Sequence, residues 1–443
     1  MEAVTTQLSF DKYEAYKDSG VEWLGEIPEH WDSKKLKYLL KFTTGGTPSS
    51  ESSIFYSGNE PWITISNMNG KYINETNFIS KAGVKNANIP LTVANSLLFS
   101  FKLSVGQVAF TQKDIYTNEA IASFYPQKET NLKFWYYALP LFVPKNANTN
   151  IYGALLLNQN LINNATLLIP PTQEQTAIAN FLDKKCGQID QAIAQKERMI
   201  ELLKERKQII IQQAVTKGLN PNAPMKDSGI DWIGEIPEHW RIKKLKYVAE
   251  VQTGLTLGKS YHQSKLVEVP YLRVANVQGG YCVLDNITSV KIPKEDVGKY
   301  LLQKGDVLVT EGGDLDKLGR GTIWNNEIEP CIHQNHLFAI RVNEEKVNAE
   351  YLTLSLNANY GRKYFIKTGK KTTNLASTNG TKLMNFPLIA PSIAEQQIIL
   401  DYINQIKCKI NNTIDSQQSQ IHKLKEYKST LINSAVTGKI KVG

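Results

Sequence analysis

The chain has 443 residues and a mass of 49.8 kDa, enough for two or three domains. Its 42% hydrophobic and 21% charged residues exclude the disordered and collagen-like classes, and its four scattered cysteines argue against a disulfide scaffold. No apolar run reaches the ~20 residues of a membrane span and no secretory signal opens the chain, so we expect a cytoplasmic protein. The net charge of +9 admits nucleic acid as a partner, but an ordinary solvated surface also accounts for it.

The sequence is a tandem repeat. Residues 17–45 and 226–254 match at an offset of 209, with 19 of 29 positions identical. Further along the offset becomes 221, because Pro170 corresponds to Pro391 and Ala214 to Ala435. The chain is therefore a duplication of a unit of about 210–220 residues, and the second copy is longer by 12 residues (221 − 209).

The first part of each copy predicts short strands, since brief apolar and β-branched runs alternate with Gly, Asn and Pro. The loops of copy one are rich in small polar residues and Lys, which suits reading of a DNA groove and also fits ordinary β-turns. The candidate DNA-binding residues of copy one are Thr44, Gly45, Gly46, Thr47, Asn67, Asn69, Lys71, Ser100, Lys102 and Asn118.

A long helix is predicted at the end of each copy. Thr172 with Gln175, and Ser392 with Glu395, have capping-box spacing, and some 45 residues without Pro follow each start. A heptad of apolar residues predicts that the two helices pair as a coiled coil, although each could instead pack only on its own domain. Lys207 and Lys428 hold equivalent seam positions. The candidate pairing residues are Leu182, Ile189, Ile193, Ile200, Leu203 and Ile210 in the first helix, and Ile403, Ile410, Ile414, Ile421, Leu424 and Leu431 in the second.

Copy two has its own candidate loops, including a glycine-rich segment, residues 312–321, that lacks the ending of a phosphate-binding P-loop. His333 and His336 have no third ligand nearby, so we expect no metal site and favour base reading or a local hydrogen-bond cluster. Catalytic motifs are also missing, and no catalytic residue is assigned. The candidate DNA-binding residues of copy two are Thr253, Thr256, Lys259, Arg273, Asn276, Gly312, Gly313, Asp314, Lys317, Arg320, Gln334, Asn335, His336, Lys370 and Lys371.

These motifs resemble the specificity subunit of type I restriction–modification enzymes, the HsdS family, over nearly the whole chain. The resemblance rests on residues 25–31 and 234–240 (both GEIPEHW), residues 44–49 (TGGTPS), the loop 311–321, and the Pro170-Pro171-x-x-Glu174-Gln175 motif before the first helix. The second helix departs slightly, with Ser392 where a second Pro is usual.

The resemblance implies an α+β chain in which two pseudo-symmetric mixed α/β target-recognition domains are joined by two long antiparallel coiled-coil helices. We expect the recognition domains at residues 1–171 and 219–391 and the helices at 172–218 and 392–443. The expected partners are double-stranded DNA, two modification (methyltransferase) subunits and motor-nuclease subunits. The chain itself should hold no cofactor, and S-adenosylmethionine, ATP and Mg²⁺ are expected in the partners.

Two similar modules on an antiparallel helix pair would be related by an approximate two-fold axis, as are the two strands of B-DNA. We therefore expect a split, asymmetric target whose half-sites are read in the major groove by the two domains, with the helices fixing the spacer. Two alternatives stay open: a protein–protein adaptor that never touches nucleic acid, and an enzyme of a fused nuclease–methylase system.

Overall fold

The computed structural model describes residues 10–128, 130–258, 261, 265–313, 318–371 and 376–442. The candidates Lys259, Asp314 and Lys317 lie outside the described residues, as does the side chain of Lys371. The chain forms two compact units. Unit 1 comprises Met1–Lys196 and Ser419–Gly443, and unit 2 comprises Glu197–Gln418. Each unit thus combines the globular part of one repeat with a portion of both long helices.

Unit 1 begins with short strands and three short helices. Its strands are β1 (Tyr16–Asp18), β2 (Glu26–Pro28), β3 (Asp32–Lys35), β4 (Phe42–Thr44), β5 (Glu60–Ile63), β6 (Asn77–Ile79), β7 (Leu97–Ser100), β8 (Val108–Phe110), β9 (Tyr116–Thr117), β10 (Ile121–Phe124), β11 (Asn148–Thr149), β12 (Leu155–Leu156) and β13 (Thr166–Ile169). Its helices are α1 (Lys81–Asn86), α2 (Leu132–Phe142) and α3 (Gln159–Asn163), with 3-10 turns at Leu36–Tyr38, Ser53–Tyr56, Ile65–Asn67 and Val143–Asn146.

Two sheets organise the globular part of unit 1. The first is antiparallel with strand order β4-β10-β7-β8, and the second has the order β6-β5-β9, in which β5 and β9 run parallel. Strands β7 and β10 are buried along their whole length because both faces are covered. Phe134 and Trp135 of α2 are buried as well. The sequence prediction of short strands broken by turns is confirmed.

The first long helix, α4 (Thr172–Lys217), leads into unit 2. The strands of unit 2 are β14 (Met225–Asp227), β15 (Glu235–Pro237), β16 (Arg241–Lys244), β17 (Ala249–Thr253), β18 (Leu266–Leu272), β19 (Thr288–Pro293), β20 (Val307–Thr310), β21 (Gly312–Gly313), β22 (Gly321–Ile323), β23 (Ile332–His333), β24 (Leu337–Val342), β25 (Lys370–Lys371), β26 (Ala376–Ser377) and β27 (Pro387–Ala390). Its helices are α5 (Val297–Tyr300), α6 (Ala349–Asn357), α7 (Asn359–Thr368) and α8 (Gly380–Met384), with 3-10 turns at Leu245–Tyr247, Val274–Asn276 and Lys294–Asp296. The second long helix, α9 (Ile393–Val436), follows.

Unit 2 repeats the topology of unit 1. Its four-stranded sheet has the order β17-β24-β20-β22, and its three-stranded sheet has the order β19-β18-β23, with β18 and β23 parallel. Each strand stands where its counterpart stands in unit 1. The duplication read from the sequence is therefore a duplication of fold. Unit 2 adds a small sheet, β21-β26-β25, which joins the glycine-rich segment to a hairpin.

The two long helices run antiparallel to each other within each unit. In unit 1 the Lys428 ammonium lies 2.7 Å from both carboxylate oxygens of Asp190, and Lys196 bonds Gln420. In unit 2 Lys207 donates to Asn411 Oδ1 at 3.1 Å. The predicted coiled-coil pairing is confirmed, and the seam lysines contact the facing helix at equivalent places, which fixes the register.

Most predicted pairing positions are buried in the unit to which they belong. Leu203, Ile210 and Leu424 are half-buried, and Leu182, Ile189, Ile193, Ile200, Ile403, Ile410, Ile414, Ile421 and Leu431 are buried. Near the end of α4 it is Ile211, the neighbour of Ile210, that packs in the core of unit 2. An α-helix drifts from a strict 3.5-residue repeat, and the buried position shifts by one residue there.

The repeated GEIPEHW motif anchors each globular part to a helix end. Trp31 and Trp240 are completely buried. Gly438, just after α9, packs on Pro28 and Trp31, and Gly218, just after α4, packs on Trp240. The motif is thus structural in both copies. No helix among the described residues is long and apolar enough to cross a membrane.

Candidate nucleic-acid interface

In unit 1 the loop after β4 packs directly on the end of β9. Gly46 N donates to Thr117 O at 2.9 Å, and the Thr47 hydroxyl bonds the Glu119 carboxylate. A Cβ at Gly45 would lie 1.8 Å from Thr117 O, so only glycine allows the two backbones to approach this closely. The loop 44–47 and residues 117–119, far apart in sequence, are therefore neighbours.

Unit 2 makes the same backbone contacts with different side chains. Leu255 N donates to His333 O at 2.8 Å, and Asn335 N donates to Leu255 O at 3.1 Å. A Cβ at Gly254 would lie 2.2 Å from His333 O, again excluding any residue but glycine. Thr253, Thr256, Gln334 and Asn335, all candidates from sequence, are thereby brought together.

The glycine-rich segment of unit 2 joins the same cluster. Glu311 N donates to His336 O at 2.9 Å, and Thr378 N donates to Glu311 O at 2.8 Å. Gly312 and Gly313 then pair with β26, which also pairs with Lys370 and Lys371 of β25. We call residues 253–256, 311–313, 334–336, 370–371 and 376–378 the loop edge of unit 2.

Unit 1 has an equivalent loop edge. Phe101 N donates to Ala120 O at 2.9 Å, which corresponds to the Glu311–His336 contact of unit 2. Gln159 Nε2 donates to Thr44 Oγ1 at 2.7 Å, so the segment after β12 lies beside the loop 44–47. Residues 44–47, 101–106, 117–120 and 148–159 form the loop edge of unit 1, and the candidates Lys102 and Asn118 belong to it.

The side chains of two candidate asparagines, Asn67 and Asn276, stabilise equivalent 3-10 turns in the two units. Asn67 Oδ1 accepts from Thr64 N at 2.9 Å, and Asn276 Oδ1 accepts from Arg273 N at the same distance. Asn276 is buried and its amide also donates to Val283 O at 2.9 Å. In both units this side chain holds the segment that follows the central strand of the three-stranded sheet.

Besides Asn67, three candidates of unit 1 lie outside its loop edge. Ser100 is buried, and its hydroxyl bonds Ser104 O within the turn after β7. Lys71 lies 2.5 Å from the Asp183 carboxylate on α4, and Asn69 lines the same cavity of about 530 Å³ beside the helices. Burial alone would raise the pKa of Asp183, but hydrogen bonds from Lys71 and Tyr137 outweigh it, so this pKa is lowered. Lys71 therefore ties the globular part of unit 1 to α4.

The two candidate histidines of unit 2, His333 and His336, do not share a site. His333 is buried, with Nδ1 3.1 Å from Tyr300 O, and burial lowers its pKa. His336 is exposed at the loop edge, where its Nδ1 lies 2.6 Å from the Glu311 carboxylate. Within the described ranges no group of three or more His, Cys, Asp or Glu side chains could hold a metal ion.

The two candidate arginines of unit 2, Arg273 and Arg320, lie close to the three-stranded sheet. Arg273 follows β18, and its guanidinium donates to Asn286 O at 3.5 Å. The Arg320 side chain lies beside Gly279, on the turn after Asn276. Val274 N donates to Gln334 Oε1 at 3.2 Å and so connects Arg273 to the loop edge.

The sequence analysis missed the hairpin β11–β12 of unit 1. Its tip exposes Ile151 and Tyr152, which are 90% and 87% accessible. The offset of 221 that relates the second halves of the repeats places this hairpin opposite β25 and β26, where Lys370 and Lys371 were chosen. Applying the same offset from Lys370 and Lys371 back to unit 1 would have identified the hairpin β11–β12 from the sequence.

Comparison with known proteins identifies the family. The family model for the type I restriction modification DNA specificity domain matches residues 28–202 and again residues 237–423. The chain is 23% identical over 429 residues to the type I restriction enzyme MjaVIII specificity subunit of Methanocaldococcus jannaschii, covering 94% of each. It is 23% identical over 401 residues to the EcoKI specificity subunit of Escherichia coli, covering 86% of this chain and 83% of that one.

Solved structures agree on the fold. A chain from a study of complex assembly and conformational transition of the type I R-M system superposes with a TM-score of 0.69 at 14% identity, covering 94% of this chain and 99% of that one. The HsdS subunit from Thermoanaerobacter tengcongensis gives a TM-score of 0.51 at 14% identity, covering 94% and 98%. The two matched segments together span most of the sequence, and the chain belongs to the type I restriction–modification specificity family, whose members are the DNA-recognition subunits of these enzymes rather than the catalytic ones.

Proposed function

We propose that each unit reads one half of a bipartite, asymmetric DNA site in the major groove through its loop edge. The recognition domains are residues 1–171 and 219–391, and the helices are residues 172–218 and 392–443. The observation that carries this proposal is that two equivalent backbone frameworks present unlike side chains. Asn118 of unit 1 corresponds to Gln334 of unit 2, and Glu119 corresponds to Asn335. Different side chains on one framework favour different base sequences.

A domain exchange tests the modular part of the proposal. Residues 1–170 are replaced by those of a relative with another target, and the methylated motif is read by single-molecule sequencing of host DNA. We expect one half-site to change while the other half-site and the spacer persist. Loss or change of both half-sites would contradict independent reading by the two units.

The helices set the spacer in this proposal. Each long helix carries a heptad seam, and lysine contacts at equivalent places fix its register. Inserting one heptad into both helices keeps the seam in phase, so we expect a longer spacer with both half-sites unchanged. Inserting three residues instead breaks the seam and serves as the matched control, which should abolish assembly. A heptad insertion that alters a half-site would contradict the proposal that the helices set only the length of the spacer.

The helices also dock the partners in this proposal. Apolar side chains outside the seam are exposed on both helices: Met199, Leu202 and Ile209 on α4, and Ile398, Tyr402 and Tyr427 on α9. Such exposed apolar surface on a charged helix favours a protein partner. The partners are two adenine-N6 methyltransferase subunits, which supply S-adenosylmethionine, and motor-nuclease subunits, which supply the ATP and Mg²⁺ sites. All of them act in the cytoplasm.

Native mass spectrometry of the assembled complex tests the docking. Ile398→Glu places a charge on the exposed side of α9, and we expect it to remove a methyltransferase subunit. Gln397→Glu, at the adjacent exposed position, is the matched control and should leave the stoichiometry unchanged. If the Ile398→Glu complex retains both methyltransferase subunits, the exposed side of α9 is not where they dock.

Phosphate contacts are assigned to Lys317 and Arg320 of the glycine-rich loop. We expect Lys317→Ala and Arg320→Ala each to weaken DNA binding by the assembled enzyme and to reduce the salt dependence of the affinity by about one ion. An unchanged salt dependence of the affinity would mean that this loop does not contact the phosphate backbone.

A further inference from the structure

The hairpin β11–β12 of unit 1 ends in a rigid apolar tip. Asn150 Oδ1 accepts hydrogen bonds from Tyr152 N and Ala154 N, both at 2.9 Å, and Gly153 N donates to Asn150 O at 2.9 Å. These bonds fix the turn while Ile151 and Tyr152 extend into solvent. Large apolar side chains that are both held in place and exposed mark a contact surface.

The hairpin lies on the loop edge in both units. In unit 1, β12 ends three residues before Gln159, whose amide donates to Thr44 Oγ1. In unit 2 the equivalent hairpin pairs through Ser377 with Gly312 of the glycine-rich segment. The tip is therefore continuous with the surface to which the proposed function assigns DNA.

The chemistry of the tip differs between the units. Residues 148–156 read NTNIYGALL and carry no charge, whereas the counterpart in unit 2 contains Lys370 and Lys371. Lysines at that place suit phosphate oxygens. A neutral apolar tip gains no charge attraction from phosphates, but thymine methyl groups present apolar base edges in the major groove.

We propose that the Tyr152 ring and Ile151 pack against apolar base edges, above all thymine methyl groups, in the major groove of the half-site read by unit 1. Lys370 and Lys371, which correspond to Thr149 and Asn150 beside the tip, contact phosphates in unit 2. The two units thus engage DNA through equivalent hairpins by different forces. This inference rests on the proposed function, because it takes the loop edge as the DNA surface.

Salt titration of DNA affinity separates the two forces. The assembled methyltransferase is titrated against a duplex carrying its methylated motif, and against duplexes with either half-site scrambled. We expect Tyr152→Ala to weaken binding to the motif about tenfold, with the salt slope unchanged, because an apolar contact with base edges is lost and no charge is removed. Tyr152→Phe keeps the ring and should bind as the wild type does. The Lys370→Ala, Lys371→Ala double variant is the matched control and should lower the salt slope by about two ions.

Failure of this inference can be distinguished from failure of the proposed function. Tyr152→Ala should bind the duplex with a scrambled unit 1 half-site as the wild type does, because the base contact is already lost there. Motif affinity within twofold of wild type in Tyr152→Ala and Ile151→Ala would overturn the inference, as would loss of a partner subunit from these variants in native mass spectrometry, since the tip would then contact protein. A wild-type complex that binds both scrambled duplexes as well as the motif would instead refute the proposed function itself.

Discussion

Glu174, in the first turn of α4, holds unit 1 to its helix. Its carboxylate accepts hydrogen bonds from Tyr13 Oη at 2.8 Å, His30 Nε2 at 2.6 Å and Trp31 Nε1 at 3.0 Å. Glu174→Ala removes all three bonds and leaves the buried indole N–H of Trp31 without an acceptor. A hydrogen bond to a charged group contributes about 1.5–3 kcal/mol, and the half-buried Tyr13 bond adds about 1 kcal/mol, so we expect unit 1 to lose about 3 kcal/mol.

Unit 2 supplies the matched control, Glu395→Ala. Glu395 lies 3.1 Å from His239 Nε2, a pair exposed to solvent. In the part of the chain that the structure describes, Trp240 Nε1 has no hydrogen-bond acceptor. Glu395→Ala therefore takes no acceptor away from the buried Trp240 indole. The loss in unit 2 should therefore stay below about 1 kcal/mol. The two variants therefore differ in two hydrogen bonds, those from Tyr13 and Trp31, at equivalent positions.

Hydrogen exchange of the full chain, read by mass spectrometry, measures each unit separately. A loss of about 3 kcal/mol corresponds to exchange roughly 100-fold faster in peptides spanning residues 10–31, while peptides spanning residues 222–240 should be unaffected by Glu174→Ala. Equal effects of Glu174→Ala and Glu395→Ala on their own units would refute the reasoning, because the additional bonds of Glu174 would then contribute nothing.

Acid pH provides an independent check on Glu174. Burial alone would raise its pKa, but the hydrogen bonds from Tyr13, His30 and Trp31 outweigh burial and lower the pKa from the usual 4.5. A carboxyl whose pKa is lower in the folded state stabilises that state above its unfolded pKa, and the contribution is lost as the pH falls through the folded pKa. The difference between wild type and Glu174→Ala should therefore shrink below about pH 4.5.

Three further predictions follow from close contacts. Double-mutant cycles of Lys428 and Asp190 should give a coupling of about 0.5–1 kcal/mol that 1 M salt abolishes, measured by chemical unfolding. Gly254→Ala forces a Cβ against the backbone of β23, so it should destabilise unit 2 by about 3 kcal/mol in hydrogen exchange and weaken DNA binding; wild-type protection would contradict the close approach. Arg341→Ala leaves the buried Asp306 carboxylate without its guanidinium, which lies 2.9 Å away, and should cost unit 2 about 3–5 kcal/mol in the same assay, whereas a loss below 1 kcal/mol would mean that water replaces the arginine.

Local sequence patterns predicted the elements well. Two prolines followed by a capping residue begin α4 at Thr172, and the heptad predicted the pairing of α4 with α9. The repeat predicted that both units share one topology. These features depend on residues close in sequence or on a periodicity that the sequence displays directly.

Roles that depend on distant partners could not be predicted. Lys71 looks like a free cation in a polar loop, but its partner, Asp183, is 112 residues away on α4. Asn67 and Asn276 look like base readers, yet each accepts from a backbone N–H three residues back, a local use that competes with base contact. Composition alone does not distinguish an amide that holds a turn from one that faces DNA.

The loop edges show why such an interface can diverge while its framework persists. Backbone bonds from Gly46 N to Thr117 O in unit 1, and from Leu255 N to His333 O in unit 2, join the separate segments of each edge, and almost any residue can supply them. Side-chain bonds, such as Thr47 to Glu119 in unit 1 and His336 to Glu311 in unit 2, add to this framework and differ between the units. Thr117 can become the buried His333, and a neutral hairpin tip can replace Lys370 and Lys371, without loss of the framework. If the loop edges read DNA as proposed, substitutions alone can change the target, and for the same reason the base contacts do not follow from the framework.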